Sequence, residues 1–191
     1  MKTLRFAAPP VAFALGAITL LAGCSTPAPQ YIISIPHVQA LKTSGAKATA
    51  TTPFKAEGSA ANNETISIRG NPMRSAKSTF AAYLEDAITQ ELTEAKIFNP
   101  SANTKISAVL LKNDISAAGF VTGSGEIEAR FTVTRGDKVA FNKVKRATTT
   151  WDSHFMGAIA IPNAQQNYPK LVQALLKQLY DDNEFFAALK D

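Results

Sequence analysis

One cysteine, one tryptophan and two histidines in 191 residues leave little material for several kinds of chemistry. A lone cysteine excludes a disulfide framework and any site built on paired thiols. The histidines stand at 37 and 154, so there is no His-x-x-x-His pair, no Cys/His ligand spacing and no acidic loop of calcium spacing; neither a metal nor another cofactor is expected. Charge is sparse too, with 18% charged residues and 20 Lys+Arg against 15 Asp+Glu. The resulting +5 is spread along the chain with no repeated aromatics among the basic residues, which argues against a nucleic-acid partner. Ten glycines without a triplet period exclude collagen, and a 46% hydrophobic content excludes a wholly disordered polyelectrolyte. What remains is an ordinary globular composition of one-domain length.

The N-terminus is more specific. Lys2 and Arg5 precede a stretch from Phe6 to Ala22 that is apolar apart from Pro9, Pro10, Gly16 and Thr19. Such a run is too short and interrupted for a secure membrane span and reads as an export signal. It ends in Leu21-Ala22-Gly23-Cys24. These four residues resemble the lipobox of bacterial lipoproteins, which implies diacylglyceryl transfer to the Cys24 thiol, cleavage before it and acylation of the new amino group. The alternative is a plain secretory signal beside a chance cysteine. An exported, unpaired thiol would be reactive in an oxidising compartment, and lipidation removes that liability. One acyl chain holds a protein to a bilayer only marginally, at about 0.8 kcal/mol per buried methylene, whereas two or three hold it essentially permanently. Ser25 in place of Asp after the cysteine implies, by the lipoprotein sorting rule, an outer-membrane location, with the domain expected to face the periplasm. Removing 23 of the 191 residues leaves 168 and lowers the charge from +5 to +3, because Lys2 and Arg5 depart.

The mature chain divides in two on composition. Residues 24–63, rich in Ala, Ser, Thr, Pro and Gly without sustained periodicity, read as the lipidated cysteine and a flexible tether, with Tyr31 to Pro36 as a short run able to dock as an edge strand. Residues 64–191 read as the globular domain. Thr65 to Arg69 alternates as a strand, closed by Gly70-Asn71-Pro72. Ser78 then caps a helix whose stripe is Phe80, Tyr83, Leu84, Ala87, Ile88, Leu92 and Ala95. Three strands follow, over 104–115, 126–134 and 138–151, the second alternating most cleanly (Ile127, Ala129, Phe131, Val133 inward) and the third carrying a bulge near Asn142. A helix opens at Pro162-Asn163 with Tyr168, Leu171, Val172, Leu175, Leu176 and Leu179 on one side, and Asp181 or Asp182 caps a last short helix. The order strand, helix, three-strand meander, helix, helix predicts an α+β, two-layer fold with a mainly antiparallel sheet and helices on one face.

Candidate chemistry is thin, and no catalytic residue is assigned. Asp152-Ser153-His154 is consecutive, so alternating side chains would diverge in a strand, and no Gly-x-Ser-x-Gly elbow exists. Gly119, Gly123 and Gly125 around Ser124 look like a phosphate loop but lack its lysine and following helix, so a hairpin or wide loop needing positive φ is the simpler account. Lys138, Lys143, Lys145 and Arg146 could grip an anionic partner such as lipid headgroups, or pair across strands with Glu126 and Glu128. The most informative stretch is Trp151 to Pro162, where Trp151, Phe155, Met156, Ile159 and Ile161 surround Gly157 and Ala158. It reads either as a connection buried beneath the final helix or as a flat apolar patch for a protein partner or an acyl chain.

Lipobox, tether, strand and helix, a meander ending on a tryptophan and a closing helix together resemble small periplasm-facing lipoproteins of Gram-negative envelopes, nearest the transport-auxiliary lipoproteins of ABC-type lipid-trafficking systems. The stretch Trp151 to Pro162 also resembles a Trp-x-Ser-x-Phe-x-Gly-Ala-Ile-Ala-Ile-Pro segment of uncharacterised lipoproteins. The resemblance implies a non-enzymatic, membrane-anchored binding or assembly module with an envelope protein as partner, or alternatively a lipid-carrying component holding an acyl chain between sheet and helices. Only Cys24 carries over as a functional residue.

Overall fold

The computed structural model describes residues 25–190; the expected export signal over residues 1–23 and Cys24 lie outside them. Thirteen elements follow one another: β1 (Thr26–Pro27), α1 (Ile35–Thr43), β2 (Thr49–Thr51), β3 (Lys55–Ala56), a 3-10 turn (Ser59–Ala61), β4 (Thr65–Ile68), β5 (Asn71–Arg74), α2 (Phe80–Glu94), β6 (Thr104–Ser116), β7 (Thr122–Arg135), β8 (Lys138–Asp152), α3 (Gly157–Tyr180) and α4 (Asn183–Lys190).

The long meander β6-β7-β8 is antiparallel, as its alternation predicts. Ile106, Ala108, Leu110, Ile127, Ala129, Phe131 and Val133 form its inner face, covered by Phe80, Leu84 and Ile88 of α2 and by Tyr168, Leu171, Val172 and Leu175 of α3. Two layers of helix on sheet result, the expected α+β class. Two irregularities interrupt the ladders. Leu111 falls out of register between Leu110 and Lys112, so the inward parity switches to Asn113 and Ile115. Ala140 is the extra residue of β8, because Val133 pairs with Phe141 and Thr134 with Val139. The bulge thus sits two residues before the expected Asn142, and Val144, which suggested it, faces solvent.

The tether reading of residues 24–63 does not hold. β2 and β3 pair in parallel with β6, at Thr49↔Thr104 and Lys55↔Val109, and complete the sheet along its otherwise open edge. α1 buries Val38 and Leu41 in the core, and its first turn holds Pro36, where the missing N–H costs nothing. Tyr31 to Ser34 form no strand, yet Tyr31 is buried. The first predicted strand, β4, belongs to a separate small sheet of order β1-β5-β4. Asn71 and Pro72, expected to form the turn, instead open β5, and the turn is Arg69-Gly70.

Helix starts also shift. Thr79 rather than Ser78 caps α2, its hydroxyl accepting from the Ala82 amide at 3.1 Å, while Ser78 adopts φ +71. α3 begins five residues before Pro162. At that depth the proline removes a hydrogen bond to the Ala158 carbonyl, which is tolerable because Ala158 is exposed to water. Asp182 caps α4 as expected, accepting from the Glu184 amide at 2.9 Å.

Candidate functional site

Three chain reversals meet at one end of the molecule. Arg69 and Gly70 both have positive φ, +50 and +81, which defines a two-residue turn closed by the Ile68↔Asn71 pair. A left-handed arginine is strained by about 1–2 kcal/mol. Four hydrogen bonds offset that strain. The guanidinium donates from Nε to Ala117 O at 2.6 Å, from Nη1 to Phe155 O at 2.8 Å, and from Nη2 to Gly119 O at 3.2 Å and His154 O at 3.1 Å. Arg69 therefore ties the β6–β7 loop to the β8–α3 loop, and the Ser153 amide adds a bond to Val121 O at 2.8 Å.

What the clamp presents is apolar. Phe120 and Val121 of one loop are 78% and 74% exposed, and Phe155 and Met156 of the other and Ile159 in the first turn of α3 are also exposed. The buried-connection reading of Trp151 to Pro162 is thus overturned: Gly157 to Ile161 form the first turns of α3, and only Ala160 is buried. Trp151 and Ile161 pack against the core from the rim and are partly buried. Sequence reasoning missed Arg69, Phe120 and Val121. The signal available was a Gly-Phe-Val run in a loop, where polar side chains are the norm.

The glycines serve approach rather than positive φ, contrary to expectation. Gly123 faces Trp151 across the ladder, and a Cβ there would lie 2.4 Å from the indole, so the ring lies across bare backbone. A Cβ on Gly119 would sit 2.2 Å from Thr122 O, and one on Gly125 2.9 Å from Leu171.

Asp152, Ser153 and His154 do not form a relay. His154 Nδ1 accepts from the Met156 amide at 3.0 Å, and Asp152 offers its carbonyl to Asn163 Nδ2 at 2.6 Å. Nor do the basic residues form one patch. Lys143 and Lys145 reach Asp182 Oδ2 at 3.0 and 2.7 Å, Lys143 also meets Glu184 at 2.8 Å, and Arg146 pairs with Glu126, which Lys112 bonds at 2.6 Å. Lys138 lies at the far end of β8. Burial alone would push the Asp182 carboxyl up; hydrogen bonds from Lys145 and Lys143 outweigh it and hold the group well below the usual carboxylate range.

A buried polar cluster occupies the opposite end. Glu91, fully buried on α2, accepts at Oε1 from Tyr31 OH at 2.6 Å and from the Ser34 amide at 3.1 Å, with His37 Nδ1 at 3.1 Å. Burial, and then the Glu91 carboxylate, push the Tyr31 phenol far above its ordinary value. The cluster is closed to solvent and fastens residues 31–37 to the helices.

The place expected for an acyl chain is filled. Tyr168, Leu171, Val172 and Phe131 occupy the space between sheet and α3 with no exposed area. A surface groove of about 380 Å³ runs instead between Pro29–Ile32 and α3, lined by Gln166, Pro169, Lys170 and Gln173. Among the described residues no group of three or more His, Cys, Asp or Glu could hold a metal, and no helix is long and apolar enough to cross a membrane.

No family model matches the sequence, and no curated protein matches it. Solved structures resemble it to differing degrees. Protein XCC0632 of Xanthomonas campestris, of the family DUF330, superposes with a TM-score of 0.55 at 12% identity, covering 81% of this chain and 93% of that one. A provisionally named lipoprotein from Caulobacter crescentus CB15 gives 0.45 at 13% identity over 82% and 98%, and the hypothetical protein CT253 of Chlamydia trachomatis 0.41 at 10% over 72% and 98%. At 12% identity the likeness to the Xanthomonas protein shows the fold and carries no role. The fold of this chain is that of the DUF330 protein of Xanthomonas.

Proposed function

We propose that this chain is a lipid-anchored, non-enzymatic binding or assembly module of the bacterial cell envelope, held at Cys24 to the outer membrane and facing the periplasm. The observation that carries the reading is the apolar end held by Arg69, where five large side chains are presented on two braced loops and the first turn of α3 rather than on a mobile tip. Rigid presentation lowers the entropic cost of recognition. The Leu21-Ala22-Gly23-Cys24 sequence supplies the means of attachment, and anchoring raises the local concentration of the domain near its partners. The engagement of His154 Nδ1 by the Met156 amide supports recognition over hydrolysis. The lipid-carrying alternative loses its expected compartment, since the sheet–helix interior is packed.

Two measurements test this. Metabolic labelling with a palmitate analogue and fractionation of the Cys24→Ala variant should show label lost and the protein released from membranes; full membrane retention without label would refute the anchor. Crosslinking in intact envelopes, compared between wild type and Phe155→Ser, should recover a specific partner or lipid contact that the variant loses.

A further inference from the structure

The N-terminal residues of the described chain fix where an anchor at Cys24 must emerge. β1 runs parallel to β5, with Thr26 beside Met73 and Pro27 beside Arg74, and the Ala28 amide donates to Arg74 O at 2.7 Å. The parallel sense means that the chain reaches Thr26 from the side of Pro72, whose carbonyl accepts from the Thr26 hydroxyl at 3.5 Å. Met73 is three residues from the Gly70 turn, and Cys24 is two residues from Thr26, a span of at most ~7 Å. The anchor therefore leaves the domain at the end where Arg69 gathers the loops.

That end is also where exposed apolar groups concentrate. Of the nine large hydrophobic side chains exposed among the described residues, Phe120, Val121, Phe155, Met156 and Ile159 lie there, and the other four are scattered over α1, β8 and the segment before α1. Residues 69–72, 117–121 and 153–159 contain one charged side chain, Arg69, and its guanidinium is engaged by four backbone carbonyls. Asp152 lies just behind. The His154 ring lies tilted on Phe155 at 4.5 Å, at the edge of the exposed group. An apolar apex whose one charge is held by backbone carbonyls suits insertion into the boundary of a bilayer.

We propose that Phe120, Val121, Phe155, Met156 and Ile159 dock into the lipid bilayer that holds the Cys24 anchor, so that the domain stands on its Arg69 end with α4 and the β7–β8 turn directed away. The inference rests on the acylation of Cys24. The anchor supplies the affinity, and the apex sets orientation.

The test uses the full-length protein, purified from bacterial membranes and reconstituted in phosphatidylethanolamine–phosphatidylglycerol vesicles carrying brominated acyl chains, with acylation of Cys24 read by mass spectrometry on the same sample. Trp151→Phe provides a silent background, in which Phe155→Trp or Phe120→Trp reports the apex and Val144→Trp, midway along β8, reports the flank. The apex reporters should be blue-shifted and quenched several-fold more than the flank reporter. Equal, weak quenching at all three sites in acylated protein would overturn docking while leaving the anchor intact. Absence of acyl groups on Cys24 would remove the anchor reading and the proposal together. A photo-crosslinking side chain at position 155 in intact cells should label lipid; labelling of a protein instead would assign the apex to a protein partner and overturn the proposal.

Discussion

Arg69 and Phe155 are 86 residues apart in sequence, yet the guanidinium Nη1 of one donates to the carbonyl of the other at 2.8 Å. That bond, with its three companions, makes a surface turn into the keystone of the apolar end. Replacing Arg69 with Ala removes all four donors while leaving the strained φ. A loss of about 1–2 kcal/mol is expected. Hydrogen exchange at the Ser153 amide and along 117–121 should accelerate while the centre of β7 stays protected; unchanged exchange in both loops would show that they hold without the clamp.

Gly123 and Trp151 give a second test, because the indole takes the place of a side chain opposite it. Gly123→Ala forces the ring off the ladder. Overpacking of this kind costs about 1–3 kcal/mol. The single tryptophan reports its own displacement, so emission should shift to the red as unfolding moves to lower denaturant.

Asp182 ties the sheet to the α3–α4 junction through Lys143, Lys145 and the Glu184 amide. Its carboxyl is lowered in the folded protein, so the stabilisation is fully present above the unfolded value of about 3.9 and is lost as pH falls below it. Asp182→Asn should destabilise the protein at pH 7 by about 1–3 kcal/mol and flatten the acid limb of the stability curve. A variant with the same acid limb as wild type would assign that limb to other carboxylates.

Tyr31→Phe distinguishes a docked N-terminal segment from a tether. Losing the 2.6 Å bond to Glu91 leaves a buried carboxylate oxygen short of one donor, at a cost of about 1–2 kcal/mol. Protease cleavage between 31 and 63 should become faster. A tether would be cut equally fast in both proteins.

Much of this architecture is written in local pattern. The strict alternation of Ile127, Ala129, Phe131 and Val133 specifies one wet and one buried face, and the Leu171–Leu179 stripe specifies the helix that covers it, because both signals repeat within a few residues. The Asp181-Asp182 pair reads as holding a cap for the same reason, and Asp182 supplies it. The apolar run from Phe155 to Ile161 is also visible, although whether it lies inside or outside is not.

What the sequence by itself determined is therefore the α+β class, the meander and the two long helices. Only the tertiary structure decided that residues 25–63 complete the fold. Strands of two or three residues carry no periodicity, and β2 and β3 exist because the open edge of β6, more than fifty residues away, offers them hydrogen bonds. Glu91 is inside because Tyr31 and His37 arrive from that same segment to bond it. The apex likewise depends on three turns far apart in sequence meeting around one guanidinium, a coincidence of distance that no window of neighbouring residues encodes.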